Sequence, residues 1–142
     1  MPDIQHAIQI AVKPEAVHGL VSAAKGFSEW WAEDVTQSAG AVELGFFKRV
    51  TIYRLKLKVD NPPTLTEWVC ESGDEWGGTH IVFRLELRGA GTVVRFTHGG
   101  WRAETEYFTS CNTTWGELMF RLKAAAEGKS RGPLFLTNDM AY

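Results

Sequence analysis

Long apolar runs are missing from this 142-residue chain, and so is any strong excess of one charge. No stretch of 18 apolar residues is present to span a bilayer, and 15 Lys and Arg against 17 Asp and Glu, a net charge of −2, give no long-range pull toward polyanions. Neither a nucleic acid nor a membrane is therefore expected as a partner. Cysteine is scarce as well. Cys70 and Cys111 form no CxxC pair, which excludes a redox motif and a zinc knuckle and leaves two reduced thiols as the simplest state. His6, His18, His80 and His98 show no HxH or HExxH spacing, so no metal and no cofactor is expected. The first twelve residues carry no Lys or Arg and no unbroken apolar stretch, unlike an export signal, and a cytoplasmic location is expected.

What the chain has in quantity is ring surface: six Trp, eight Phe and three Tyr, 12% of the residues, within a 44% hydrophobic composition. At this length folding hides roughly 70% of the extended chain's surface, enough for one core and too little chain for a second domain. The expected organisation is one domain over residues 1–128 and a tail, 129–142, whose Leu134, Phe135 and Leu136 need a surface to cover.

Hydrophobic periodicity then orders the elements. Ile4, His6, Ile8, Ile10 and Val12 alternate with small or polar residues, as in a half-buried strand. Pro14 suits a first helical position, and Ala16, Val17, Leu20, Val21 and Ala24 share a face up to Gly26. Ser28 is expected to cap a second short helix bearing Trp30 and Trp31. Period two predicts strands over residues 42–47, 50–59, 64–71, 81–88 and 93–98, with turns at Asn61-Pro62-Pro63, in the glycine-rich bend 73–78 and at Arg88-Gly89-Ala90-Gly91. Phe108, Cys111, Trp115, Leu118, Leu122 and Ala125 recur at steps of three and four, which predicts one amphipathic helix over residues 104–127, roughly 36 Å long. The stretch 109–114 is a poor helix former, and a bend is expected there.

Strand, two helices, about six strands and a long helix make an α+β protein. Its antiparallel sheet can bury one apolar face only against the last helix, so the sheet must curl around that helix. Such a grip often leaves a space that side chains do not fill.

Three stretches also carry a family likeness. Phe27-Ser28-Glu29-Trp30-Trp31, the hairpin strand from Thr92 to Trp101, and Trp115-Gly116-Glu117-Leu118 with Arg121-Leu122-Lys123 and Glu127-Gly128 resemble the START/SRPBCC superfamily. The pattern is most similar to the bacterial branch related to the activator of the heat-shock protein 90 ATPase. The resemblance spans residues 4–128 and implies the helix-grip, Bet v 1-like fold: a curved antiparallel sheet of about six to seven strands around the C-terminal helix, with two short helices after the first strand and a deep apolar pocket. The chain departs from the common form at Thr114-Trp115-Gly116, where many relatives carry Gly-Trp.

On this basis the expected function is binding of a small hydrophobic ligand, lipid-like or aromatic, between sheet and C-terminal helix, with no reaction assigned. The candidate lining is Tyr53, Trp68, Cys70, Phe83, Leu85, Phe96, His98, Phe108, Cys111, Trp115 and Leu118, although the same residues would also make an ordinary packed core. His98, at a strand end, could serve a ligand or act as a base, or be a hydrogen-bonded structural residue. Two other functions remain: a co-chaperone-like interaction module with a chaperone partner, and a cyclase or hydrolase using His98 and Tyr53. The second lacks paired carboxylates, and neither cysteine has the oxyanion-hole signature of a nucleophile. Either a monomer or a homodimer fits. Lys48, Arg49, Arg54, Lys56 and Lys58 read as a solvated face offset by Glu67, Glu71 and Glu86. Gly89-Ala90-Gly91 precedes a strand and reads as a turn, not a phosphate loop.

Overall fold

The N-terminal alternation forms β1 (Ile4–Ile10) in the computed structural model, which describes residues 1–138. Two short helices follow, α1 (Pro14–Val21) and α2 (Ala24–Phe27), then β2 (Asp34–Ser38), β3 (Ala41–Phe46), β4 (Thr51–Asn61), β5 (Leu65–Cys70), β6 (His80–Arg88), β7 (Gly91–Gly99) and α3 (Glu106–Ala126). All seven strands join one antiparallel sheet in the order β1-β7-β6-β5-β4-β3-β2. The helices α1 and α2 carry the chain from one sheet edge to the other, and four hairpins plus the β5–β6 loop bring it back toward β1. This is the expected α+β helix-grip architecture, a curved sheet around a long C-terminal helix.

The first helix ends sooner than its periodicity predicts. Gly26 explains the break: a Cβ there would lie 2.5 Å from the Gly19 carbonyl oxygen and 2.6 Å from Leu20 Cα, so α2 presses against the backbone of α1 and the chain must turn between them. Ser28 does not start a helix. It ends α2, its hydroxyl donating to the Lys25 carbonyl at 2.6 Å, and Trp30 and Trp31 occupy the turn that follows. Those rings have work at the end of α1, where carbonyls lack intrahelical donors. The Trp30 indole N–H donates to the Leu20 carbonyl at 2.8 Å, and that of Trp68 donates to the Val21 carbonyl at 3.0 Å.

Strand β2 escaped the periodicity because Asp34-Val35-Thr36-Gln37-Ser38 is a polar edge strand with no alternation to detect. Glycine at 45, opposite Asp34, is what lets the Asp34 carboxylate lie over β3, since a Cβ would sit 2.3 Å from its Oδ2. The helix α3 starts at Glu106 because Thr105 caps it, accepting the Phe108 N–H at 3.1 Å. It runs helical through 109–114, with Phe108, Cys111 and Trp115 anchoring that polar stretch in the core.

The basic face pairs differently from expectation in one respect. Arg54 meets Glu71 at 3.3 Å and Lys58 meets Glu67 at 3.6 Å, but Glu86 serves Arg88 and Arg95 on its own hairpin. After α3 the chain forms a strap. Arg121 donates to the carbonyls of Arg131 and Gly132, both at 3.0 Å, and Leu134 and Phe135 donate backbone N–H groups to Trp30 and Trp31. Leu134 and Phe135 are buried; residues 139–142 of the tail lie outside the described residues.

Candidate functional site

The last helix does not lie evenly over the sheet. Close backbone packing of α3 on a strand is concentrated at β1, where Lys123 donates to the Gln9 carbonyl at 2.7 Å and Glu127 accepts the Ala11 N–H at 2.8 Å. Toward β3 and β4 the gap is bridged by rings, and what they leave open is a cavity of about 190 Å³. Its walls are Trp31, Phe46 and Phe47, Thr51 and Tyr53 of β4, Trp76 of the β5–β6 loop, the α3 residues Tyr107, Ser110, Cys111, Thr114, Trp115 and Leu118, and Phe135 of the strap. Eight of these are aromatic and none is charged.

Each wall is held by local structure. Tyr53 and Trp76 stack with centroids 3.9 Å apart and planes 11° from parallel, Trp31 and Trp115 meet at 4.9 Å, and Phe135 stands edge-on to Phe46 at 5.0 Å. Gly73, at φ +95°, makes the first stack possible, because a Cβ would come within 2.7 Å of Tyr53 Cε1. The loop bearing Trp76 is tied to the segment before α3: Arg102 donates to the carbonyls of Asp74 and Gly77, and Thr105 bonds Glu75. Phe47 is turned toward the strap by a β3–β4 turn in which Phe47, Lys48 and Arg49 all have left-handed φ, a conformation costing about 1 kcal/mol or more each. Arg49 offsets part of this by donating to both Asp34 oxygens at 2.8 Å and to Glu43.

Polar groups gather at one end of the cavity. The Tyr53 and Tyr107 hydroxyls share a 2.5 Å hydrogen bond. Trp76 is only 5% exposed, yet its indole N–H has no well-formed hydrogen bond; its dipole and that of the Tyr107 hydroxyl act on the Cys111 sulfur, a weak acceptor. Burial pushes the Tyr53 hydroxyl up to about 12 and raises Tyr107 further, the shared hydrogen bond adding to the effect at Tyr107. Burial also raises the Cys111 thiol. At neutral pH all three keep their protons, and the site offers donors, not a nucleophile.

His98 sits on the closed side, fully buried, with both ring nitrogens engaged. Nδ1 accepts the Trp115 indole N–H at 3.1 Å, which assigns the proton to Nε2. Nε2 then donates to Thr79 Oγ1 at 2.8 Å, and that hydroxyl donates to the Trp76 carbonyl at 2.6 Å. Burial lowers His98 to about 3, so the ring stays neutral. It orients Trp115 and the Trp76 loop and presents no free nitrogen to the cavity.

No protein-family model matches the chain, and no curated protein matches it in sequence. Solved structures do. Aha1 from Colwellia psychrerythraea, solved as a dimer in solution, superimposes with a TM-score of 0.80 at 29% identity over 91% of this chain and 98% of that one. A Staphylococcus saprophyticus protein gives 0.74 at 16% identity over 96% and 99% of the two chains, and CalU16 from Micromonospora echinospora gives 0.73 at 15% over 93% and 69%. The fold is that of START/SRPBCC proteins. The Bet v 1-like architecture implied by the aromatic motifs is thus the observed one.

Within this START/SRPBCC fold, Tyr53, Cys111, Trp115 and Leu118 of the expected lining come together at the cavity. The other expected residues are buried elsewhere. Trp68 packs on Phe27 and bonds α1, while Phe83 lies between Trp30 and Phe96. Phe96 packs on Trp115 at 4.3 Å, Leu85 is core opposite Val94, and Phe108 stands edge-on to Trp101. Cys70 donates to the Ser72 carbonyl at 3.2 Å, burial pushing its thiol up to about 11. Sequence reasoning missed Trp31, Phe46, Phe47, Trp76, Tyr107 and Phe135. A large ring within a bend of Gly and Ser was the available signal for Trp76. Among the described residues no helix is long and apolar enough to cross a membrane.

Proposed function

We propose that the protein binds a small, ring-containing apolar ligand in the cavity between β3, β4, the Trp76 loop and α3, and we assign it no reaction. One observation carries this reading: a space of about 190 Å³ walled by eight rings and no charged side chain, inside an otherwise closely packed core. An apolar cavity of about 150 Å³ holds benzene, whereas sites for drug-sized ligands run to about 300–1,000 Å³. A molecule of one or two rings fits better than a long-chain lipid. The site residues proposed are therefore Tyr53, Trp76, Tyr107, Cys111, Trp115 and Leu118. A cyclase or hydrolase centred on His98 is disfavoured because its two nitrogens already have partners.

Thermal unfolding against one- and two-ring aromatics and, separately, long-chain alcohols tests the proposal. Ring compounds should raise Tm with concentration, by the equivalent of about 2.7 kcal/mol at a hundredfold excess over Kd, and Cys111→Leu, which fills the space, should abolish the rise. A flat response to every compound by a folded protein would remove the reading.

The Colwellia neighbour, solved as a dimer, favours a second, compatible reading in which this chain also forms a homodimer, to which the family resemblance adds contact with a chaperone through its surface. Light scattering would read the dimer, and an effect on a chaperone ATPase that persists with the cavity filled would read the contact. Two free thiols suit a cytoplasmic protein, and we keep residues 1–128 as its domain, onto which the segment after 128 packs back through Leu134 and Phe135.

A further inference from the structure

The polar groups of the cavity wall are hydroxyls, which donate and accept, one thiol and one indole N–H, which can only donate, and the last constrains the guest. Tyr53 and Tyr107 own two O–H protons, and the hydrogen bond between them uses one. The second O–H has the Cys111 sulfur beside it, a weak acceptor that a carbonyl oxygen outcompetes. Trp76, also in the wall, adds an indole N–H without a partner, and the neighbouring acceptor is a thiol sulfur, which accepts weakly. No carboxylate, side-chain amide, imidazole or cation lines the space.

A guest entering these walls leaves water behind. An anion would lose its hydration with no cation to replace it, and an ammonium, although ring faces attract it, has no lone pair to offer the Trp76 N–H. A neutral acceptor, by contrast, meets donors that burial keeps protonated. Flat walls such as the Tyr53–Trp76 stack select a flat guest.

We propose that the ligand is an uncharged, planar molecule of one or two rings carrying a carbonyl-type oxygen, which accepts a hydrogen bond from the Tyr53–Tyr107 pair with the Trp76 N–H as second donor. This rests on the binding reading above and adds the chemical class of the ligand.

The probes are indane and 1-indanone, the same fused frame without and with a carbonyl, titrated calorimetrically into the full chain and into Tyr53→Phe/Tyr107→Phe. The ketone should bind the native protein at least as tightly as indane, despite being better solvated in water. In the double variant the affinity ratio should move toward indane by about tenfold, with indane itself changed by less than about twofold. The carbonyl stretch of bound 1-indanone should lie at a hydrogen-bonded frequency, and 1-indanecarboxylate should bind at least about tenfold more weakly than the ketone.

If indane binds but the ratio moves by less than about threefold, or the carboxylate matches the ketone, the inference fails and the apolar pocket stands. If neither indane nor 1-indanone binds, the pocket reading fails and this inference with it. Should the double variant not fold, Tyr107→Phe, at a position 38% exposed on the rim, and the carbonyl frequency on the native protein decide the matter.

Discussion

Beneath α3 lie two regions built from similar residues with opposite results. On the β1–β7 side Phe96, His98, Trp101 and Trp115 pack ring against ring, every His98 nitrogen has a partner, and Lys123 and Glu127 fasten the helix to β1. On the β3–β4 side Phe46, Tyr53, Trp76 and Phe135 are just as large, yet a cavity remains and an indole N–H goes unpaired. The difference is spacing. A helix pinned to one edge of a curved sheet diverges from the other, and flat rings meeting edge to face cannot fill a wedge completely. Packing density is thus set by where the backbone is anchored, and ring size alone does not decide it.

That contrast can be broken most forcefully on the closed side. Phe96→Ala removes a fully buried ring packed on Phe83 and Trp115 and should destabilise the protein by about 3–5 kcal/mol in urea unfolding. A loss below about 2 kcal/mol would mean that the closed side is already loose.

Next in size comes pH. Burial holds His98 down at about 3 against its ordinary 6.5, so between these values the unfolded chain binds a proton that the native one refuses. Stability should be full above pH 6.5 and fall below it by up to ~1.4 kcal/mol per pH unit. His98→Gln should lose that part of the slope, and an unchanged slope in the variant would assign the acid sensitivity to other groups.

The smallest effect belongs to the open side. Phe135→Ala, in the strap and 9% exposed, should cost less than Phe96→Ala, about 2–3 kcal/mol, while enlarging the cavity, so that two-ring probes gain affinity over one-ring probes. Equal losses for Phe135→Ala and Phe96→Ala would erase the distinction between the regions.

The same division governs how much could be read from the residues in order. Alternation in β1, β4, β6 and β7 and the three-four steps of α3 are local consequences of strand and helix geometry, and they locate these elements well. Polar β2 has no such signature, and the break between α1 and α2 depends on Gly26 meeting the backbone of Gly19 and Leu20. At the site, Cys111, Trp115 and Leu118 were legible because the core stripe of α3 and its cavity stripe share them. Tyr107 lies one position off that stripe. Trp76 and Phe135 lie in aperiodic segments, where no rule of spacing assigns a direction, and Phe47 faces the strap because of its left-handed backbone.

From the chain alone came the elements, their α+β order, an interior rich in rings and the near absence of net charge, since each follows from composition or from contacts between residues close in sequence. Which rings meet, which indole lacks an acceptor and where space is left were decided only by the tertiary structure. Those outcomes depend on the curvature of a sheet whose two edges are β1 and β2 and on a helix fastened near one of them, distances that no local pattern encodes.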